Sequence, residues 1–214
     1  MANVAKVYSH KNNRPSILAK HAIEKLEARP QSLGNVAVAS DQVARLLRWT
    51  KELERLMPID MDTAAATLPT GLRLLSSPFF CGHVSRSVAK MIFDLSIVER
   101  GAWGETVPAI NDQGNRCCTI NLATHDRAGR MRSIEELLGT ILHELGHAYM
   151  YLFGCRCEVC HWNIMRLNGH FKGWRMLARS VEKKAREVLG MRVNLENKES
   201  AEFWWRKEQQ FLKK

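Results

Sequence analysis

The sequence lacks any long apolar run. No segment approaches the roughly 18–20 consecutive apolar residues that a membrane-spanning helix needs. The start of the chain, MANVAKVYSHKNNRPSILAK, has no apolar stretch of the kind found in secretory signal peptides. These absences predict an intracellular protein, nuclear or cytoplasmic, that has no membrane partner.

Internal repeats and low-complexity tracts are also missing. Hydrophobic residues make up 45% of the 214 residues and charged residues 25%, which is typical of a globular protein with one core. There are 6 cysteines. In a reducing compartment we expect thiols or metal ligands rather than disulfides.

The charge is strongly one-sided. The net charge of +10 and the pI near 9.6 favour an anionic partner. The excess is concentrated in residues 161–214, which also contain tryptophans, and aromatic residues beside basic ones suit stacking on unpaired bases. The candidate nucleic-acid contacts are Trp204, Trp205, Arg206 and Lys207. Solvated basic faces and core tryptophans would give the same composition.

One helix is predicted from its own signals. Ser133 and Glu136 form a capping box, and apolar residues then recur at spacings of three and four as far as Gly154. The predicted helix runs from about Ile134 to Phe153. Gly139 and Gly146 within it are interpreted as sites of close packing.

The middle of this helix carries His143, Glu144 and His147 in the pattern H-E-x-x-H. Residues four apart lie on one helix face, so both imidazoles can bind one metal ion. A catalytic zinc ion usually has three protein ligands and an open position. Glu144 would then be the general base that takes a proton from an attacking water.

The third ligand is left open by the spacing alone. The metzincin continuation needs Gly and His where the chain has Met150 and Phe153, so that class is excluded. The downstream candidates are Glu158, His161, His170 and Glu182.

HELGHAYMYLF followed by GHFKGW resembles the SprT-like zinc metallopeptidase family, whose members include proteases of DNA–protein crosslinks. The segments PFFCGHV, MIFDLSIVERGAWGET and NRCCTINLATHD resemble the part that precedes the active-site helix, so the resemblance covers roughly residues 43–182. It implies that His170 is the third zinc ligand. Phe171 stands where the family commonly has Gly. This departure bears on the backbone conformation next to His170 and not on the ligand itself.

The resemblance implies an α+β, zincin-like metalloprotease domain, and the predicted strands should form a small antiparallel sheet packed on the H-E-x-x-H helix. The implied function is a Zn²⁺-dependent endopeptidase that acts on protein substrates, among them DNA-bound or DNA-crosslinked ones, with single-stranded or damaged DNA as a partner. Two alternatives stay open: a zinc protease without a nucleic-acid role, and a catalytically silent binding module. The intact Glu144 speaks against the last.

A second group of metal-ligand residues follows the helix. Cys155, Cys157, Cys160 and His161 read C-x-C-x-x-C-H, which offers four ligands for a structural zinc ion. The alternative is a loop of free thiols.

The chain divides into a peripheral N-terminal segment (1–37), a SprT-like metallopeptidase domain (38–190) and a basic C-terminal helix or tail (191–214). Besides the motif helix, the patterns predict helices over Ile17–Leu26 and from Asp41, as N-cap, to Met57, then a loop-rich connection over 58–78. Strands are expected around Ala89–Val98, Trp103–Val107 and Cys117–Leu122, a helix from His170 to about Leu189 that stops at Gly190, and a last helix over 197–213.

Overall fold

The computed structural model describes residues 14–27, 33–155, 157, 158, 160 and 169–195. The fold is α+β, as predicted. The helices are α1 (Pro15–Glu27), α2 (Leu33–Leu56), α3 (Met61–Phe80), α4 (Ser96–Glu99), α5 (Ile134–Phe153) and α6 (Lys172–Leu189), and the strands are β1 (Ala89–Phe93), β2 (Gly104–Ile110) and β3 (Arg116–Leu122).

The sheet has the order β1-β3-β2 and is mixed. Strand β3 pairs with β2 in antiparallel fashion and with β1 in parallel, so Ile120 lies opposite both Thr106 and Met91. The prediction of an antiparallel sheet is therefore wrong for β1. The NDQGN turn in the sequence predicts the antiparallel β2–β3 hairpin. Strands β1 and β3 are far apart in the chain, so no turn sequence between them indicates that they pair in parallel. The predicted first strand is also too long, because α4 begins at Ser96.

Helix α5 has the bounds that the sequence predicts. The Ser133 side chain accepts a hydrogen bond from the Glu136 backbone N–H, and Glu136 accepts one from the Ser133 backbone N–H. The helix packs against β2 and β3. Its buried residues, among them Leu137, Leu138 and Ile141, form the centre of the hydrophobic core.

Residues 58–78 are helical for most of their length, so the predicted loop is wrong. Asp60 caps α3 by accepting a hydrogen bond from the Thr63 backbone N–H. Pro69 and Pro78 lie inside this helix, and such prolines each normally cost about 3 kcal/mol. Burial of a full apolar face, which includes Leu68, Leu72, Leu75 and Phe79, offsets that cost.

The N-terminal part differs from the sequence expectation in two respects. Helix α2 begins at Leu33, so Asp41 lies inside it and pairs with Arg45 at 2.7 Å instead of capping the helix. Helix α1, within the segment predicted to be peripheral, buries Leu18, Ala19, Ala22 and Leu26 in the core.

Helix α6 packs against α1 and α5 and ends at Gly190, as predicted, whose left-handed φ of 68° a glycine adopts without strain. The chain then continues across the core surface, with Val193 and Leu195 buried. The predicted helix over 197–213 lies outside the described residues. Within the described ranges, every helix is too short or too polar to cross a bilayer.

Candidate metal centre

The structure brings three imidazoles together at one point. His143 and His147 lie one turn apart on α5, and His170 lies just before Phe171, the N-cap residue of α6. The Nε2 atoms of His143 and His147 are 3.1 Å apart, those of His143 and His170 are 3.1 Å apart, and those of His147 and His170 are 3.3 Å apart. All three side chains are partly exposed. The nitrogens therefore form a nearly equilateral triangle that solvent can reach.

This triangle has the size that a zinc ion requires. With Zn–N bonds of about 2.05 Å and tetrahedral angles, neighbouring nitrogens lie about 3.3 Å apart. Three Nε2 atoms so close together cannot all pair by hydrogen bonds. Each Nε2 of a neutral ring is either a donor or an acceptor, so at least two of the three have the same role. A cation at the centre satisfies all three lone pairs, so the group could hold a metal ion.

A hydrogen bond at Nδ1 fixes the orientation of the His143 imidazole. Its Nδ1 lies 2.8 Å from the carbonyl oxygen of Leu195, which can only accept, so Nδ1 carries the proton and Nε2 presents a lone pair. The Leu195 backbone N–H donates in turn to Oε1 of Glu182 at 2.6 Å. A carboxylate on α6 thus holds the peptide that orients a ligand on α5.

Trp174 lies beneath the three histidines and is 2% exposed. Its ring stacks on His147 at a centroid distance of 4.9 Å and an interplanar angle of 14°, and meets His143 and His170 edge to face at 4.6 and 4.5 Å. Gly146 makes room for it, since a Cβ there would lie 3.1 Å from Trp174 Nε1. An aromatic floor of this kind restricts rotation of all three imidazoles.

His147 is held in the neutral form. Burial lowers the pKa of its imidazole well below the usual value, and the neighbouring His143 and His170 lower the pKa further. Neutral imidazole is the form that binds a metal ion.

The Glu144 carboxylate is buried beside the triangle, with 5% of the residue exposed. One oxygen, Oε2, accepts a hydrogen bond of 2.7 Å from the Thr106 hydroxyl of β2. The other, Oε1, lies 3.9 Å from Nε2 of His143. Burial raises the pKa of Glu144, while His143 and the Thr106 hydrogen bond lower it. The carboxylate thus has one oxygen anchored and the other directed towards the metal-binding nitrogens.

Gly104 of β2 leaves space for this carboxylate. A Cβ at Gly104 would lie 2.5 Å from Thr140 Cγ2, 2.8 Å from Glu144 Cγ and 3.0 Å from Glu144 Oε1. Contacts below 3.0 Å cannot be accommodated without movement. Strand β2 therefore sets the position of Glu144 with both Gly104 and Thr106.

The remaining candidates for the third ligand are used elsewhere or lie outside the description. Glu182 binds the Leu195 backbone, Glu158 is exposed and is not part of the histidine group, and His161 lies outside the described residues. Phe171, where the resembled family commonly has Gly, adopts an extended conformation with φ −70° and ψ 170°. Any residue takes that conformation, so a phenylalanine beside His170 is unstrained.

The thiols of Cys155, Cys157 and Cys160 also converge, with the sulfur atoms all within 4.8 Å of one another. These three cysteines could hold a metal ion as well. Burial, together with the neighbouring thiols of Cys155 and Cys157, raises the pKa of the Cys160 thiol to about 12. His161, the fourth member of the predicted group, lies outside the described residues.

The candidate nucleic-acid contacts Trp204, Trp205, Arg206 and Lys207 lie outside the described residues. Trp174, which composition alone groups with them, is buried against the histidines and is not a surface for stacking bases.

Sequence reasoning missed Thr106, Gly104 and the Leu195 carbonyl. Thr106 and Gly104 belong to a predicted strand, but nothing in the sequence says which face of that strand meets α5. The Leu195 carbonyl is a backbone group and has no residue-type signal at all.

Comparison of the chain with family models, with curated proteins and with solved structures finds no match.

Proposed function

We propose that this chain is a zinc-dependent endopeptidase that hydrolyses peptide bonds in protein substrates, with a zincin-like fold of the SprT-like type. The observation that carries the proposal is the joint placement of two groups. Three imidazole nitrogens form a triangle of 3.1–3.3 Å, and a buried carboxylate lies 3.9 Å from one of them. A ligand set with an adjacent, separately anchored base is what hydrolysis requires.

His143, His147 and His170 would hold the ion. When bound, zinc acts as a Lewis acid towards a carbonyl oxygen and makes water more acidic. The donor set supports zinc as the ion, since three neutral imidazoles that leave a fourth position open are typical of catalytic zinc.

Glu144 acts as general base and then as general acid. Its Oε1 takes a proton from water as the water oxygen adds to the peptide carbonyl carbon. The same carboxyl group then delivers that proton to the amide nitrogen as the C–N bond breaks. The Thr106 hydrogen bond on Oε2 keeps Oε1 directed towards the histidines during both transfers.

The buried Glu144 also favours an enzyme over a silent binding module. Burial of a carboxylate is costly, and the protein offsets it with a hydrogen bond and with the space that Gly104 leaves. A structural zinc site has no use for such a group. Purely structural zinc is moreover usually closed by four protein ligands, whereas the histidines here are partly exposed.

Strand β2 supports a peptide as the substrate. Among the described strands it pairs with β3 alone, so no other described strand occupies its second edge. The same strand contacts Glu144 through Gly104 and Thr106. An extended peptide that pairs with this edge would pass close to the general base.

Neither tyrosine of the motif helix suits an oxyanion donor. The Tyr151 hydroxyl donates to the carbonyl oxygen of Ala109 at 3.0 Å, and Tyr149 is buried against Phe80 and Phe153.

The decisive experiment compares wild type with Glu144→Gln on an unfolded protein substrate, with zinc content measured in parallel. We expect Glu144→Gln to keep its zinc and to lose about 10³-fold in rate, because a general base contributes 10²–10⁴-fold. Glu135→Gln, an exposed position on the same helix, is the matched control and should keep full activity. Undiminished hydrolysis by Glu144→Gln would exclude this mechanism.

We propose that the substrates are DNA-bound proteins, because a basic helix lies beside the metal centre. Helix α6 begins shortly after His170, separated from it by Phe171. It carries two acidic residues against six basic ones, which are Lys172, Arg175, Arg179, Lys183, Lys184 and Arg186. A basic helix beside the metal centre would bring phosphates close to the cleavage site. Retention on single-stranded DNA at low salt that falls as salt rises, and faster hydrolysis with DNA present, are expected. Absence of both would leave a zinc protease without a nucleic-acid role.

A further inference from the structure

Three of the six cysteines form a compact cluster, and the other three do not join it. Cys155, Cys157 and Cys160 have all their sulfur atoms within 4.8 Å of one another. Among the described residues, the histidine triangle and this cluster are the two groups of three or more ligand side chains with that property. Cys81, Cys117 and Cys118 lie elsewhere, Cys117 and Cys118 on strand β3. Close approach of the sulfur atoms is therefore specific to Cys155, Cys157 and Cys160 among the six cysteines.

The spacing of the sulfurs suits a thiolate-bound metal ion. With Zn–S bonds of about 2.3 Å in a tetrahedral site, sulfurs lie about 3.8 Å apart. None of the three cysteines is in a disulfide. A disulfide could in any case join only two of three sulfurs, whereas a single ion binds all of them.

The local backbone also fits a thiolate. The Cys157 N–H donates a hydrogen bond to Sγ of Cys155 at 3.4 Å. Such a bond stabilises a sulfur that carries negative charge. Cys155 and Cys160 are 2% and 3% exposed, so both residues are shielded from solvent.

The cysteine cluster lies at the C-terminal end of α5, a position that favours a cation. Cys155 follows Gly154, at which α5 ends, and the C-terminal end of a helix carries partial negative charge. The protein already directs one cation to this end: the Arg116 guanidinium donates to the carbonyls of Tyr151 and Gly154 at 2.6 and 2.9 Å.

We propose that Cys155, Cys157 and Cys160 supply three of the four ligands of a second, structural zinc ion, whose fourth ligand comes from outside this cluster. The three thiol protons are released on binding, and the ion links the end of α5 to the connection that leads to His170. Cys155 lies beyond the second histidine ligand and Cys160 before the third, so the ion would shorten the free length of chain between the two halves of the catalytic site. Soft thiolate donors distinguish this site from the imidazole site, and its role is to hold the backbone.

The test uses the full chain and measures zinc per chain by atomic emission. Wild type should contain about two zinc ions, and Cys157→Ser, at the partly exposed position of the cluster, about one. Cys117→Ser is the matched control and should keep about two. His147→Ala should lose the other ion and keep the cysteine-bound one, so failure of this proposal and failure of the proposed protease site are distinguishable.

Reconstitution of the wild-type chain with Co²⁺ decides the question without any variant. Thiolate ligation gives a sulfur-to-cobalt charge-transfer band in the near ultraviolet, and imidazole ligation does not. We expect this band in wild type and in Cys117→Ser, and its loss or marked weakening in Cys157→Ser. Wild type with about one zinc ion and no charge-transfer band would overturn the proposal.

Discussion

Nδ1 of His143 donates a hydrogen bond of 2.8 Å to the carbonyl oxygen of Leu195, 52 residues further along the chain. This contact joins the motif helix to the segment that follows α6, and Glu182 fixes that segment through the Leu195 N–H. The first metal ligand is therefore oriented by a part of the chain that lies beyond all three histidines.

Glu182→Ala should weaken zinc binding at the histidine site by about tenfold, because groups that orient a ligand typically contribute 10–100-fold to metal affinity. Loss of the carboxylate frees the Leu195 peptide and with it the orientation of His143. Competition with a chromophoric chelator measures the affinity.

Glu182→Gln is the control, because its amide oxygen can still accept the Leu195 N–H. It should bind zinc almost as wild type does. Equal losses in the two variants would show that the charge of Glu182, and not its hydrogen bond, is what matters.

Gly104→Ala should lower the rate of peptide hydrolysis at least about tenfold while zinc content stays unchanged. The new Cβ would lie 2.8 Å from Glu144 Cγ and 3.0 Å from Oε1, so the base must move away from its position. Steady-state kinetics and metal analysis on the same sample separate the two effects.

Gly139→Ala on α5 is the matched substitution. Its Cβ would meet its nearest neighbours at 3.5–3.8 Å, which is ordinary van der Waals contact. We expect unchanged hydrolysis and a stability gain of up to about 1 kcal/mol from helix propensity. A rate loss as large as that of Gly104→Ala would argue against a specific role for Gly104.

Arg116→Met should lower the free energy of unfolding by about 2 kcal/mol or more. The guanidinium donates to the Tyr151 and Gly154 carbonyls in a buried setting, and each buried acceptor left unpaired costs about 1–3 kcal/mol. Denaturant unfolding of the zinc-loaded protein measures the change.

Arg86→Met is the control for Arg116→Met, because it also removes one positive charge and a hydrogen bond to a backbone carbonyl. Arg86 donates to the carbonyl oxygen of Pro69 at 2.8 Å. That side chain is exposed, and water can replace the bond. We expect a change within about 0.5 kcal/mol. Similar losses at both positions would mean that net charge, and not helix capping, explains the effect.

Glu136→Gln should destabilise the protein at neutral pH and have no effect at low pH. The Ser133 N–H holds the pKa of the Glu136 carboxyl below its usual value of 4.5. A lowered folded-state pKa means that the ionised group stabilises the fold above about pH 4.5, and that this contribution disappears as pH falls through the folded-state pKa.

Unfolding midpoints of wild type and Glu136→Gln measured from pH 7 to below pH 4 test this. The two curves should converge on the acid side. Glu135→Gln, whose side chain takes no part in the capping box, should show a smaller difference from wild type at neutral pH. Curves that diverge as pH falls would contradict the assignment.

Local signals in the sequence explain what could be predicted. The capping box of Ser133 and Glu136 and the apolar repeat are signals that lie within the α5 segment itself. They predict the bounds Ile134–Phe153, which the structure confirms. Helix α3 was missed for the opposite reason. Pro69 and Pro78 are local signals against a helix, and burial of its apolar face, which depends on the whole core, overrides them.

The sequence by itself determined which side chains can bind a metal and that His143 and His147 share a helix face, because the α-helix repeat is local and fixed. Only the tertiary structure decided that His170 completes the triangle, that Thr106 and Gly104 position Glu144, and that Leu195 orients His143. It also decided that β1 joins β3 in parallel. Each of these depends on contacts between residues 23 to 52 positions apart. Their geometry is set by how helices and strands pack around one core, which no short stretch of sequence encodes.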